Sequence, residues 1–235
     1  MRTAAFFDMD RTLLDVSSGR IYMQSLIREG EVSLWGRAQM VGWAFLYVLG
    51  RLDMNRMLVS FLERYHMNEP VDELWERTQQ WFRQELRPHV VHLGQARVET
   101  HRRLGHIPVL ITASSEFAAR SVGEYLQMAY IGTYLEVKEG RLTGRTIPPF
   151  CYGEGKVYWA EHYADAHGVD LDKSWFYSDS ISDLPLLERV GHPVAVNPDR
   201  KLRAIARRRE WPIEYWYGPR MGQREGPPAL RMSLD

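Results

Sequence analysis

A single cysteine, Cys151, stands in the chain, so no disulfide can close within it and a scaffold stapled by bridges is excluded. Long apolar runs are equally absent. The longest, MVGWAFLYVLG from Met40 to Gly50, has eleven residues, against about 20 for a helix that crosses a bilayer. Nor is there an excess of one charge: 30 Lys and Arg face 30 Asp and Glu. No global field therefore draws the chain to nucleic acid or to an anionic surface. The opening MRTAAFFDMD lacks the basic-then-apolar profile of a secretory leader. A reducing, cytoplasmic setting is expected. Apolar material itself is plentiful, with 45% hydrophobic and 26% charged residues. That balance is ordinary for a folded soluble protein, and 235 residues suit one domain, with or without an insertion.

Four short apolar runs end in small or polar residues: TAAFFDMD, PVLITAS, WFYSDS and HPVAVNP. Continuous apolar runs of this length suit a parallel sheet buried on both faces. Helical patterns lie between them, at residues 115–128, about 155–167, 181–190 and 199–209. Alternation of this kind predicts an α/β fold, a doubly wound, Rossmann-like parallel sheet, with its active crevice beyond the carboxyl ends of the strands. Residues 18–88 break the alternation. They hold helical patterns, the clearest with Leu74, Trp75, Thr78, Trp81, Phe82 and Leu86 on one face, and no convincing strand. The expected organisation is a core of residues 1–17 and 89–217, an all-helical cap of residues 18–88 inserted after the first strand, and a tail of residues 218–235. YLEVKEGRLTGR, residues 134–145, reads as a small hairpin. In residues 32–52, Leu34, Ala38, Val41, Phe45, Val48 and Leu52 recur at helical spacing and predict a buried helix. Contact with lipid or a greasy substrate is the sharper alternative for that helix.

The chemistry is concentrated at the predicted strand ends. Asp8 and Asp10 are two apart, so both project into one crevice if extended geometry persists. Like charges that close need a cation, and Mg2+ takes oxygen ligands. The same pair also occurs in nucleotide-sugar glycosyltransferases and in plain acidic turns. Thr112 offers a hydroxyl and backbone N–H groups near a helix start, a cradle for phosphate oxygens. Lys156 follows GEG as a fixed positive charge, and Asp179 and Asp183 are four apart at a strand-to-helix junction. Each alone has a bland reading as a cap or a surface group. Together, and in that order, they point to phosphoryl chemistry. His89, His92 and His101 lack an acidic or cysteine cluster to complete a second metal site, so core or surface histidines are expected there. Cys151 is expected to be a buried thiol.

In these motifs the chain resembles the haloacid dehalogenase superfamily of phosphohydrolases, and within it the phosphoserine-phosphatase-like subfamily IB. FFDMDRTLLD is similar to the first motif, LITAS to the second, GEGK to the third and YSDSISDLPLL to the fourth. The resemblance implies a phosphatase that hydrolyses a small or amphipathic phosphomonoester through an aspartyl-phosphate. Asp8 would be the nucleophile and Asp10 the acid and base. Mg2+ would be held by Asp8, the backbone carbonyl of Asp10 and Asp179, with Asp183 acting through water or orientation. Thr112, the Ala113 N–H and Lys156 would bind the phosphoryl oxygens. An acid at position 10 sets the chain apart from the ion-pumping ATPases of the superfamily, which carry threonine there. A phosphomutase is the runner-up. A non-catalytic phospho-accepting module like a response-regulator receiver is the alternative from another class, but such domains are shorter and need no second acid or cap.

Three neighbouring positions depart from that pattern and are candidates for substrate contact. Arg11 stands where many relatives carry a small residue, often glycine. Ser17 replaces the glutamate with which phosphoserine phosphatases hold the substrate amine, and Ser182 replaces an asparagine. With a cap rich in Trp, Tyr, Leu and Met, an apolar or aromatic leaving group is expected, such as histidinol phosphate or a lysophospholipid. The partner expected is thus a small-molecule phosphate ester, with no nucleic acid.

Overall fold

A computed structural model describes residues 1–48 and 54–218. Part of the apolar stretch 32–52 and all but the first residue of the tail 218–235 lie outside the described residues. In chain order, strand β1 (Ala4–Phe7) precedes helices α1 (Ser18–Arg28), α2 (Leu34–Val48), α3 (Met54–Tyr65) and α4 (Val71–Trp81). Next come α5 (His92–Arg103), β2 (Ile107–Ser115), α6 (Glu116–Leu126), β3 (Ala129–Thr133), β4 (Leu135–Lys138) and β5 (Arg141–Thr146). The chain continues with α7 (Glu154–His167), β6 (Trp175–Ser178), α8 (Leu184–Arg189), β7 (His192–Val196), α9 (Arg200–Arg208) and β8 (Ile213–Glu214).

β1 is buried along its whole length because each of its faces meets a separate apolar layer. Ala5 and Phe7 join Leu110, Tyr177, Val194 and Val196, covered by Val98 of α5 and Ala118 and Val122 of α6. Ala4 and Phe6 join Val109, Ile111, Phe176 and Ala195, covered by Ala160 of α7, Leu186 of α8 and Leu202 of α9. The period of two along each strand produces both layers at once. Six strands form a parallel sheet in the order β3-β2-β1-β6-β7-β8, with Phe7 level with Leu110 on one side and Tyr177 on the other. This is the doubly wound α/β fold expected. It places the carboxyl ends of β1, β2 and β6 side by side.

Two strands lie outside the expected set. β3 has only a five-residue run containing Gly132, and β8 is two residues pairing at the sheet edge. The helical pattern at 181–190 resolves into a tight turn, Ile181–Asp183, and then α8, with Pro185 in its first turn where a missing N–H costs nothing.

Among the described residues, the chain from α1 to α4 forms no strand. Backbone hydrogen bonds hold it to the sheet layer at its base and at its far side. At its base, Val91 N–H donates to the Leu13 carbonyl (2.9 Å) and Asp15 N–H to that of His89 (3.1 Å). At the far side, residues 68–71 pair with the β4–β5 hairpin: Asn68 N–H to the Leu142 carbonyl (2.9 Å), Leu142 N–H to Glu69 (2.9 Å) and Val71 N–H to Gly140 (3.0 Å). Leu62 and Leu74 pack there against Phe117, Leu135 and Leu142. The start of α2 departs from the buried helix expected. Leu34 and Trp35 are 82% and 74% exposed, because the buried side of that turn belongs to Gly36, which lies against Tyr65 and Val32. No helix among the described residues is long and apolar enough to cross a membrane.

Candidate active site

Asp8 follows β1 directly, and its N–H donates to the Tyr177 carbonyl at 2.9 Å, the last bond of the ladder. Strand geometry stops there. Met9 turns into the core, Leu14 N–H closes back on the Met9 carbonyl (2.9 Å), and Arg11 takes φ 57°, ψ 9°. The extended geometry expected therefore does not persist past Asp8: the turn carries Asp10 toward the start of α1, where it still feels the charge of Lys156. There Ser18 N–H donates to Asp10 Oδ1 at 2.9 Å, and the Ser17 hydroxyl lies 3.5 Å from Oδ2. Helix starts carry unpaired N–H groups, so the acid lies against a partly positive end. The Ser18 hydroxyl in turn meets that of Ser114 at 2.8 Å, tying α1 to the end of β2.

Lys156 lies in the first turn of α7. The chain can pass beneath it only at glycine, since a Cβ on Gly155 would overlap the Phe150 carbonyl. Its Nζ donates to Asp8 Oδ1 at 2.6 Å and to Asp183 Oδ2 at 2.8 Å, and all three side chains are buried. Ser178 Oγ adds a bond to the same Asp183 oxygen at 2.7 Å. Asp183, expected to face a cation beside Asp179, thus spends one oxygen on Lys156 and Ser178. Asp179 ends β6. Its carbonyl accepts from Asp199 N–H (2.8 Å), while Asp199 Oδ2 accepts from Ile181 N–H (2.8 Å) and Oδ1 caps α9. Among the described residues no donor reaches the Asp179 carboxylate.

Thr112 is buried within β2, and its Oγ1 accepts from Ser114 N–H at 3.2 Å. The helix that follows is capped by Ser115, not Thr112, whose strand slips register with β3 between Ile111 and Ser115. Thr133 Oγ1 holds the Ala113 carbonyl at 2.9 Å inside that slip. Ser182, directly before Asp183, bonds to Ser180, hydroxyl to hydroxyl, at 2.9 Å. Arg11 is exposed, with its guanidinium in electrostatic reach of Asp179. His101 is buried, bonded to His106 (2.9 Å) and to the Tyr177 hydroxyl (2.9 Å), and His89 pairs with Asp15 at 2.8 Å.

Burial dominates the electrostatics. It holds the Asp8 carboxyl well above the usual range, with Lys156 pulling it down and Asp183 and Asp179 pushing it up. Burial also raises Asp10, against the bonds from Ser18. Asp179 is pushed up to about 7 by burial and by Asp183, with Arg11 opposing. Burial works against the Lys156 ammonium, but Asp183 and Asp8 outweigh it and hold the group above its ordinary value. The Cys151 thiol is pushed up to about 12, chiefly by burial, so it stays protonated and is no nucleophile.

Four carboxylates thus converge on one buried ammonium and one arginine. Hard oxygen donors with unrelieved negative charge suit a divalent cation such as Mg2+. No group of three or more His, Cys, Asp or Glu side chains among the described residues is arranged to hold a metal ion by itself. A set of two carboxylates completed by a backbone carbonyl and water is compatible with that.

Several residues that shape the site escaped sequence reasoning. Ser18, Ser114 and Ser178 are small hydroxyls whose partners are set by the fold. Asp199 carried a readable signal as a capping residue ahead of the amphipathic run RKLRAIARR, but not its hold on the Asp179 turn. Tyr217, whose hydroxyl donates to the Arg11 carbonyl at 2.7 Å, gave none.

Residues 5–188 match the haloacid dehalogenase-like hydrolase family profile. A histidinol-phosphatase of Neisseria meningitidis serogroup C is 33% identical over 222 residues, 91% of this chain and 98% of that protein. The crystal structure of a protein of unknown function from Bordetella pertussis superposes with a TM-score of 0.84 at 29% identity, covering 92% of this chain and all of that one. A phosphoserine phosphatase solved as a phospho-aspartyl intermediate analogue shares the fold, with a TM-score of 0.64 at 16% identity over 92% of this chain and 94% of its own.

Proposed function

The chain belongs to the haloacid dehalogenase-like hydrolase family, and from that premise we propose that it is a Mg2+-dependent phosphomonoester phosphatase working through an aspartyl-phosphate on Asp8. The observation that carries this reading is the buried Asp8 carboxylate gripped by Lys156 at 2.6 Å, with a second, burial-raised acid two residues on. An Asp8 oxygen attacks phosphorus as the ester P–O bond breaks, and the leaving alkoxide takes the proton of Asp10. Asp10, now a carboxylate, takes a proton from the water that attacks the aspartyl-phosphate, and phosphate departs from a regenerated Asp8. The raised affinity of Asp10 for its proton suits the first step, and Ser18 N–H fixes its aim. Lys156, Thr112 and the Ala113 N–H bind the phosphoryl oxygens, where fixed charge and dipoles stabilise the transition state. When bound, Mg2+ supplies neutralising charge at the phosphoryl group, with Asp8, the Asp10 carbonyl and Asp179 holding it and Asp183 acting through water.

Residues 18–88 serve as the substrate-selecting cap over the core of residues 1–17 and 89–217. Ser17 carries no carboxylate to hold an amino-acid amine, and it sits beside Asp10. Tyr22, Phe61 and Trp81, with His66 in the turn after α3, form an aromatic group within residues 18–88. An apolar or aromatic leaving group fits these features, and the 33% identity to a histidinol-phosphatase favours histidinol phosphate as the first candidate. The test is Mg2+-dependent phosphate release from histidinol phosphate, a lysophospholipid, phosphoserine and a nitrophenyl ester. Asp8→Asn is expected to lose at least about a hundredfold. An unchanged rate in Asp8→Asn would sink the nucleophile assignment. Phosphoserine as much the fastest substrate would sink the substrate class.

A further inference from the structure

Arg11 holds a left-handed backbone, φ 57°, that residues with a side chain rarely adopt, and it does so one residue after Asp10. Two hydrogen bonds hold it there. Its N–H donates to the Val16 carbonyl at 3.0 Å, within the same turn. Its carbonyl accepts from the Tyr217 hydroxyl at 2.7 Å, from a residue 206 positions away.

Tyr217 is itself firmly mounted. Asn197, at the end of β7, donates through Nδ2 to the Tyr217 carbonyl (2.8 Å), accepts Trp216 N–H on Oδ1 (2.8 Å), and donates its own N–H to the Glu214 carbonyl (2.8 Å). Trp216 is 1% exposed and packs beside Phe7 and Tyr177. Its indole N–H donates to Glu214 (2.7 Å), whose carboxylate takes both bonds from buried Arg97 (2.8 and 2.9 Å). Residues 213–217 thus form a strap anchored in the same apolar layer as the nucleophile's strand. The phenol hydroxyl at its end reaches the catalytic turn.

We infer that Tyr217 is a positioning residue: its hydroxyl locks the Arg11 carbonyl and so keeps the turn that aims Asp10 at the reacting atoms. The inference rests on the phosphatase reading, in which Asp10 must meet both the leaving oxygen and the attacking water. The Tyr217 bond holds the Arg11–Thr12 peptide plane and the Val16 bond holds the Asp10–Arg11 plane, so with both in place the turn that carries Asp10 is fixed on either side of Arg11. Small misplacements of a proton-transfer group are costly in rate while leaving ground-state binding intact.

Tyr217→Phe deletes the hydroxyl and keeps the ring, so the strap's packing is preserved. Assayed in the full chain with a nitrophenyl phosphate ester, it is expected to lower kcat on the order of tenfold while KM stays within about twofold. A kcat within about twofold of the parent would overturn the inference. So would a raised KM at unchanged kcat, which would make the phenol a substrate contact. Hydrogen–deuterium exchange over residues 8–16 reads the lock without substrate. Faster exchange there is expected in Tyr217→Phe, and unchanged exchange would overturn the lock. If the parent releases no phosphate yet the turn still loosens, the phosphatase reading alone fails.

Discussion

Replacing Lys156 by Met removes the ammonium that lies 2.6 Å from Asp8 and 2.8 Å from Asp183, among side chains that are 2%, 8% and 3% exposed. Methionine fills a similar volume, so the cavity term is small and the effect is electrostatic. Orphaning a buried charge by removing its partner costs roughly 3–5 kcal/mol. At about 2–4 °C per kcal/mol for a chain of this size, the melting midpoint should fall by about 6–20 °C near pH 8. The dependence on pH gives the sharper test. Without the ammonium, Asp8 sits further above its ordinary carboxylate value than burial already places it. The folded variant then binds protons that the unfolded chain releases in the interval between the two values. Acidification therefore stabilises the variant relative to the parent, and the gap in midpoints should narrow from about pH 8 to about pH 5. Thermal unfolding followed by circular dichroism at both pH values decides it. A variant that melts with the parent at pH 8, or a gap that fails to narrow, refutes the electrostatic account of Lys156. Phosphate release should also fall by about 10²–10³, as for loss of a preorganised transition-state donor.

Two further outcomes follow from other groups. Asp10→Asn keeps an oxygen to accept from Ser18 N–H, so its melting midpoint should stay near the parent's while kcat drops by about 10²–10⁴; equal rates would remove Asp10 from proton transfer. His101 is held down to about 3 by burial, then by His106 and Arg97, against an ordinary 6.5. Its stabilising contribution is full above about pH 6.5 and drains away as pH falls toward 3, because only the unfolded chain takes the proton, at up to about 1.4 kcal/mol per pH unit. Urea unfolding at stepped pH should show that slope in the parent and a flatter one in His101→Phe, and equal slopes would dismiss the buried neutral imidazole.

How much of this was legible depends on whether the information is local. AAFF, PVLI, WFYS and HPVAV announce buried parallel strands because both faces of each are covered, which leaves an unbroken apolar run. β3 escaped because AYIGT is broken by a glycine, and β8 because two residues carry no period. The order of the acids, Thr112 and Lys156 was readable from motifs at strand ends. Their pairing was not. Asp10 reaches the site from a turn and not from the strand, because the chain leaves the strand after Phe7, and the positive φ of Arg11 that completes the turn is carried by a non-glycine residue. Ser18 with Ser114, 96 residues apart, and Tyr217 with Arg11, 206 apart, are contacts that only the closed sheet creates.

The pairing of residues 68–71 with the β4–β5 hairpin has a mechanical consequence. A helical lid joined to its base at one pair of linkers can swing like a flap. Here three backbone hydrogen bonds and the Leu62, Leu74, Leu135 and Leu142 contacts form a second seam on the far side. Swinging the helices away as one rigid plate would break that seam and wet its apolar residues. The hairpin therefore travels with the helices or holds them still.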